Sequence, residues 1–102
     1  MTNTTTYTVT LPTGATATRK SARTYTHAVI TGTPVAYYEA GMAAANGSGA
    51  AAWYQSQIDL AVNGYVWGVV SWCGRHDLAE KAARTAHGRM PTDVVRIVGV
   101  NA

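Results

Sequence analysis

The chain has 102 residues, which suffices for one domain (1–102) with a modest core that needs neither disulfides nor a metal ion. It contains one cysteine, which excludes an intramolecular disulfide framework, and no apolar run approaches the roughly 18 residues that span a bilayer. The formal net charge is +3, and the excess comes from one basic window at residues 19–23. Because the N-terminus is neither basic nor apolar, it predicts no signal peptide, and we expect a cytoplasmic protein.

The first third of the chain predicts three strands. Residues 4–11 alternate between threonine and larger apolar side chains, a pattern typical of a half-buried antiparallel strand. Pro and Gly in residues 12–14 predict a turn, after which a short second strand is expected at about residues 15–19. Residues 24–31 predict a third strand, which the Gly-Thr-Pro sequence at 32–34 should end.

Residues 35–52 are rich in Ala and Gly. Residues 37–45 are compatible with a short helix, although Gly41 lowers helix stability by about 1 kcal/mol relative to Ala. The Asn-Gly-Ser-Gly sequence at 46–49 then interrupts the pattern. We therefore interpret residues 35–52 as an insertion or excursion within the domain.

The clearest local signal is Asn63-Gly64, in the middle of residues 53–72. It lies between two runs of alternating apolar side chains, and this combination is the strongest short-range signal for a β-hairpin. Both residues tolerate the positive φ of a type I′ turn. A two-residue loop fixes the register of the two strands, so Trp67 should fall on the buried face and Trp72 on the opposite, mixed face.

A helix is predicted at about residues 77–87, followed by a last strand at residues 92–100. Asp77 and Glu80 have the spacing of a capping box at the start of the helix, and Gly88 ends it. A stripe of small apolar side chains should pack on the sheet, and i,i+4 ion pairs should line the exposed side. The stripe comprises Leu78, Ala79, Ala82, Ala83 and Ala86, and the expected pairs are Asp77–Lys81 and Glu80–Arg84.

The fold class that these elements predict is α+β. We expect two layers: a mostly antiparallel sheet of five or six strands, and one helix, about residues 77–87, packed on one face of the sheet. The last strand is apolar on nearly both faces, which predicts that it is interior to the sheet.

Cys73 is the first candidate for chemistry, because it lies between a strand end and a helix start with His76 three residues away. A Cys/His pair is one way to build a nucleophile, but no third group nearby orients the base, so an inert cysteine is favoured and thiol chemistry is the alternative. The soft metal ligands of the chain are Cys73, His27, His76 and His87, and their spacing gives only half of a structural zinc motif. We therefore predict a protein without catalytic residues, metal or cofactor.

The basic residues Arg19, Lys20 and Arg23, with Tyr25 beyond them, are the second candidate. Basic side chains beside aromatic ones can hold phosphates and stack on bases, so a nucleic-acid-binding protein is the alternative function. A solvated loop explains the same cluster without any ligand.

Exposed aromatic residues are the third candidate, because Trp and Tyr are common anchors of protein–protein contacts. Trp72 falls on the mixed face, Arg75 follows it, and Trp53 lies near the same predicted edge. We therefore predict a small non-enzymatic binding module that contacts a protein partner through Trp72, Arg75 and Trp53. Burial of Trp72 under the helix or the excursion is equally compatible with the sequence.

Two segments, residues 17–29 and 67–83, resemble small proteins without established activity that phages of actinobacteria encode. The bias toward Ala, Gly and Thr and the preference for Arg over Lys also suit a GC-rich genome. The resemblance covers roughly a third of the chain and transfers no functional residue. It implies a phage accessory protein that acts in the bacterial cytoplasm by binding a host protein.

Overall fold

The structure, a computed structural model, describes residues 3–45 and 49–102 and is α+β, as the sequence predicts. The predicted C-terminal helix is confirmed, but the described residues contain three helices rather than one. In chain order the elements are β1 (Thr5–Thr10), β2 (Thr16–Ser21), β3 (His27–Pro34), α1 (Val35–Ala45), α2 (Gly49–Asp59), β4 (Tyr65–Cys73), α3 (His76–Arg89) and β5 (Val94–Gly99).

A three-stranded antiparallel sheet with the order β4-β3-β5 forms the centre of the fold. β1 and β2 pair with each other as a hairpin, and a two-way hydrogen-bonded bridge between Thr8 and Asn101 connects this hairpin to the chain just after β5. The prediction of one sheet with five or six strands is therefore wrong, because the five strands of the described residues divide between two sheets. The interior strand is β3, whose residues 28–33 are buried, while β5 lies at an edge.

Side chains of β3 point alternately toward the β1–β2 hairpin and toward α3. On one side Ile30 packs with Val9 of β1. On the other side Val29 packs with Cys73 of β4 and Ala79 of α3, and the small alanine side chain lets the helix approach the sheet closely. The predicted packing of the helix on one face is confirmed, and the β1–β2 hairpin adds a further layer on the opposite face.

A β-bulge in β4 determines which of its side chains face the β1–β2 hairpin and which face α3. Val69 and Ser71 pair with consecutive residues of β3, so Val70 is an extra residue between them. The bulge reverses the alternation along the strand, and Trp67 and Trp72 both pack against the core that faces the β1–β2 hairpin. Their predicted placement on opposite faces is therefore wrong.

The segment before the Asn63-Gly64 turn is a helix rather than a strand. The turn itself is confirmed: the φ angles of Asn63 and Gly64 are 54° and 85°, and Val62 forms a bridge with Tyr65. Residues 53–59, however, belong to α2, so the predicted strand at this position is wrong. The composition of α2 explains the difference, because its alanines and glutamines have high helix propensity.

α1 and α2 form a helical hairpin that projects from the body of the protein, which consists of the β1–β2 hairpin, the central sheet and α3. The two helices pack chiefly against each other, α1 adjoins the body where it leaves β3, and neither helix has a buried side chain. The radius of gyration is 15.4 Å, whereas a compact chain of this length has about 13 Å. Residues 37–45, which the sequence left compatible with a short helix, belong to α1, and part of the interruption, residues 46–48, lies outside the described residues. None of the helices in the described ranges is long and apolar enough to cross a membrane.

Candidate functional site

The three residues predicted to contact a partner lie on different elements. Trp72 on β4 is half-buried against the core under the β1–β2 hairpin, and its ring centroid lies 6.1 Å from that of Tyr25. Arg75 precedes α3 with an exposed side chain, whose Nε lies 3.2 Å from Asp77 Oδ1. Trp53 is 54% exposed on α2. The two tryptophans thus belong to separate aromatic clusters.

Trp53 belongs to an aromatic cluster on the helical hairpin of α1 and α2. We call this cluster the hairpin surface. The cluster also contains Tyr37 and Tyr38 of α1 and Tyr54 of α2, and neighbouring ring centroids lie between 5.0 and 6.5 Å apart. Gly41 permits the close approach of the two helices, because a Cβ atom there would lie 2.5 Å from the Tyr54 ring. Tyr37, which is 53% exposed, was not among the residues predicted from the sequence.

The hairpin surface carries little charge. α1 contains one acidic residue, Glu39, and α2 contains one, Asp59, at its last position; neither helix contains a basic residue. Asp59 accepts a hydrogen bond from Gln55 Nε2 at 2.9 Å. The aromatic cluster is therefore surrounded mainly by alanine and other uncharged side chains.

The basic segment lies on β2 and the loop after it. Arg19, Lys20 and Arg23 are exposed, and none of the ion pairs in the described part of the chain involves them. Arg19 Cζ lies 5.5 Å from the centroid of the Tyr25 ring. The Tyr25 ring also packs edge-on against Tyr7 at 5.3 Å, so contacts within the protein already occupy much of the ring.

Cys73 and two of the histidines meet where β4 ends. Cys73 is 6% exposed and pairs with His27 across the β3–β4 ladder. The rings of His27 and His76 lie 5.2 Å apart, and His76 Nδ1 lies 2.8 Å from Glu80 Oε1. Among residues 3–45 and 49–102, no group of three potential ligands is placed to hold a metal ion. The low exposure of the Cys73 thiol restricts its access to any substrate.

The start of α3 differs from the prediction, and this difference changes its ion pairs. The helix begins at His76 with Arg75 at the N-cap, and no side chain caps it, so the predicted capping box is wrong. Asp77 lies inside the first turn and pairs back with Arg75, and Glu80 pairs back with His76. The pairs predicted toward the next turn do not form, and Lys81 is left without an ionic partner in the described residues.

α3 packs on one face of the sheet and leaves a groove on each side of the helix; the first, the β4 groove, lies between α3 and the free edge of β4. It has a volume of about 320 Å³. Val70 and Leu78 line it and are 53% and 42% exposed, so two large apolar side chains are accessible in one groove. Two cationic side chains, Lys81 and Arg89, two hydroxyl side chains, Ser71 and Thr85, and alanines of α3 complete the lining, and no acidic residue contributes to it.

The second groove, the β5 groove, lies between α3 and β5 and has a volume of about 660 Å³. Its apolar side chains are Val95 and Ile97, and its polar ones include Asp93. Asp93 Oδ2 accepts a hydrogen bond from Thr33 Oγ1 at 3.0 Å, whereas Asp93 Oδ1 is buried without a hydrogen-bond partner in the described residues. A carboxylate oxygen in this state costs stability unless a solvent molecule or ligand reaches it.

Sequence reasoning did not identify the residues of the β4 groove as a set. Lys81 and Arg89 are eight residues apart and therefore lie on one face of a helix, a signal that helical periodicity contains. The exposure of Val70 depends on the bulge, which the alternating pattern does not reveal. Leu78 was assigned to the stripe that packs on the sheet, whereas Ala79 is the residue that the sheet buries.

Comparisons with known proteins do not assign the chain to a family. No family model matches it, and no curated protein or solved structure shows significant similarity to it. The function is therefore inferred from the residues and their geometry.

Proposed function

We propose that this protein is a binding module rather than an enzyme, and that its hairpin surface docks into an apolar cleft of a partner protein. One observation carries the proposal: the helical hairpin projects from the body, yet none of the residues of α1 and α2 is buried. On the resemblance of residues 17–29 and 67–83 to phage proteins, the partner is a bacterial host protein and the chain a phage accessory protein.

The energetics of short helices support a docking role. α1 and α2 have 11 residues each, and isolated helices shorter than about 12–15 residues are marginal in water. Helices of this length normally gain their stability by burying one face against other elements. Here the helices pack chiefly against each other, so a partner that covers Tyr37 and Trp53 would stabilise them.

The chemistry of the hairpin surface indicates the kind of cleft. Exposed Trp and Tyr side chains are the residues that most often dominate binding free energy when they fill a pocket. Because Glu39 is the only ionisable acidic or basic group of α1 and α2 before their last residue, steering by charge contributes little. The complementary partner surface is thus an apolar pocket without a strong positive or negative electrostatic potential.

Site-specific photo-crosslinking tests this proposal in the full chain. A benzophenone amino acid replaces Trp53, and, as a control, Thr18 on the exposed side of β2; both proteins are irradiated in an actinobacterial lysate. We expect a protein that crosslinks at position 53 and not at position 18, and it is then purified for titration calorimetry.

Two matched variants decide whether the captured protein uses the hairpin surface. Replacing Tyr37 and Trp53 with Ser should weaken binding about 30-fold or more, the effect of losing about 2 kcal/mol at a binding hot spot. Leu60→Ser is the control, because Leu60 is an apolar side chain at least as exposed as Trp53 but lies outside the aromatic cluster. Equal affinity of all three proteins, or no crosslink specific to position 53, would refute the proposed surface.

A second candidate function is nucleic-acid binding through Arg19, Lys20 and Arg23. The supporting observation is that all three are exposed and none belongs to an ion pair of the described residues. Phosphate contacts release counterions, so retention on DNA or RNA should fall steeply with salt and disappear when the three residues become Ser. The control replaces three cations of α3 with Ser, namely Lys81, Arg84 and Arg89; equal loss in both variants would reveal a nonspecific charge effect and remove this candidate.

A further inference from the structure

We infer that the β4 groove is a second binding site, which accepts a short extended segment of a partner protein with acidic side chains four residues apart. This site is separate from the hairpin surface and does not depend on the function proposed for it. Three features of the described residues lead to it: a strand edge without a partner, exposed apolar side chains beside that edge, and two cations without acidic neighbours.

The first feature is the edge of β4. The strand has nine residues and pairs with β3 on one side, and no strand of the described residues pairs with its other side. Such an edge presents backbone N–H and C=O groups that an added strand can satisfy. Recognition by strand addition takes its affinity from these backbone hydrogen bonds and its specificity from side-chain pockets next to the edge.

The second feature is the apolar lining next to this edge. The bulge in β4 turns Val70 and Ser71 toward the same groove, although neighbours in a regular strand point to opposite faces. Leu78 faces Val70 from α3 across the groove. The two large apolar side chains therefore remain about half-exposed on the two walls of one groove, where an apolar ligand side chain would cover both.

The third feature is charge. Lys81 and Arg89 line the groove, no acidic residue does, and neither cation takes part in an ion pair of the described residues. They are eight positions apart on the helix, which corresponds to about 12 Å along its axis. An extended chain covers this distance in about four residues. Acidic side chains four residues apart, with an apolar one midway, therefore match the groove.

A second copy of this chain is a poor occupant of the same groove. If two β4 edges paired, the cations of both copies would approach one another without acidic residues between them. This repulsion favours a single acidic segment over self-association.

A random twelve-residue peptide library, selected against the full-length protein at low salt, tests the inference. We expect the retained peptides to be enriched in β-branched residues and in Asp or Glu at positions i and i+4. Binding of one selected peptide, measured by fluorescence anisotropy, should shift the amide NMR resonances of Val70 and Ser71. Peptides without acidic residues, or shifts confined to other strands, would overturn the inference.

Charge variants distinguish the groove from general attraction to a basic protein. Lys81→Glu with Arg89→Glu should weaken peptide binding about tenfold or more, whereas Arg19→Glu with Lys20→Glu, which changes the net charge equally, should not. The pair Lys81→Gln and Arg89→Gln serves as a milder version, and circular dichroism verifies the fold of each variant. Loss of binding in the Arg19/Lys20 variant alone would assign the peptide to the basic segment, and equal loss in both variants would reveal general attraction to a basic protein. Either result would refute the groove.

Discussion

Gly32 and Gly68 provide a sensitive test of how Trp67 packs, because the same substitution should have opposite effects at the two positions. A Cβ atom at Gly32 would lie 2.9 Å from three carbons of the Trp67 indole, whereas at Gly68 it would meet nothing within 4 Å. Ordinary carbon contacts begin at about 3.5 Å, so Gly32→Ala must displace the indole or β3 by about 0.6 Å. Crowding of this kind costs about 1–3 kcal/mol.

Backbone entropy acts in the other direction at both positions. Gly inside a strand is about 0.5–1 kcal/mol less stable than Ala, and neither Gly32 nor Gly68 has a positive φ that would penalise a side chain. Gly68→Ala should therefore stabilise the protein, and Gly32→Ala should destabilise it, with a difference in unfolding free energy of about 1–3 kcal/mol. In calorimetry the melting temperatures of the two variants should then differ by about 5–20 °C, and urea denaturation should rank their stabilities in the same order. Equal stabilisation by both substitutions would show that Trp67 does not lie over Gly32.

Three further substitutions examine other parts of the fold. Thr33→Val removes the hydroxyl that donates to Asp93 and leaves both carboxylate oxygens without a partner in the described residues, so urea denaturation should show a loss of about 1–3 kcal/mol; no loss would refute the hydrogen bond. Cys73 should react with a thiol reagent at least about 100-fold more slowly in the native than in the denatured protein, since opening must precede reaction; a native rate near the denatured one would contradict its burial. Gly64→Ala should cost about 1–2 kcal/mol in a thermal melt, because the left-handed conformation disfavours a Cβ atom, and an unchanged melt would contradict the turn.

The sequence predicted those elements whose signals are local. The Asn63-Gly64 turn and the helix after Cys73 follow from residue types at fixed spacings, and both are present. The strand predicted at residues 53–62 is wrong because Ile58, Leu60 and Val62 alternate over too few residues to outweigh the helix propensity of the alanines and glutamines before them. Short apolar runs are ambiguous between strand and helix for this reason.

The candidate sites depend in part on features that no local pattern contains. A single extra residue, Val70, reverses the alternation of β4, places both Trp67 and Trp72 against one core and leaves Val70 itself exposed. Likewise, Lys81 loses its predicted partner because α3 begins one residue earlier and Asp77 pairs with Arg75 instead. In both cases a shift of one residue changes which side chains are available to a ligand.

Deletion of the helical hairpin tests whether it serves the fold or a partner. Pro34 and Tyr65 face each other at the ends of β3 and β4, so removing residues 35–62 would leave Asn63-Gly64 as a two-residue loop between paired residues. The positive φ of both residues already suits such a loop. Neither core cluster contains a side chain from the deleted segment, so the melting temperature should change by less than about 8 °C, which corresponds to about 1 kcal/mol. The same deletion with Gly64→Ala is the control and should be less stable. Loss of cooperative melting in the deletion variant would mean that the hairpin supports the body, whereas a folded body that no longer binds the crosslinked partner would assign the hairpin to recognition.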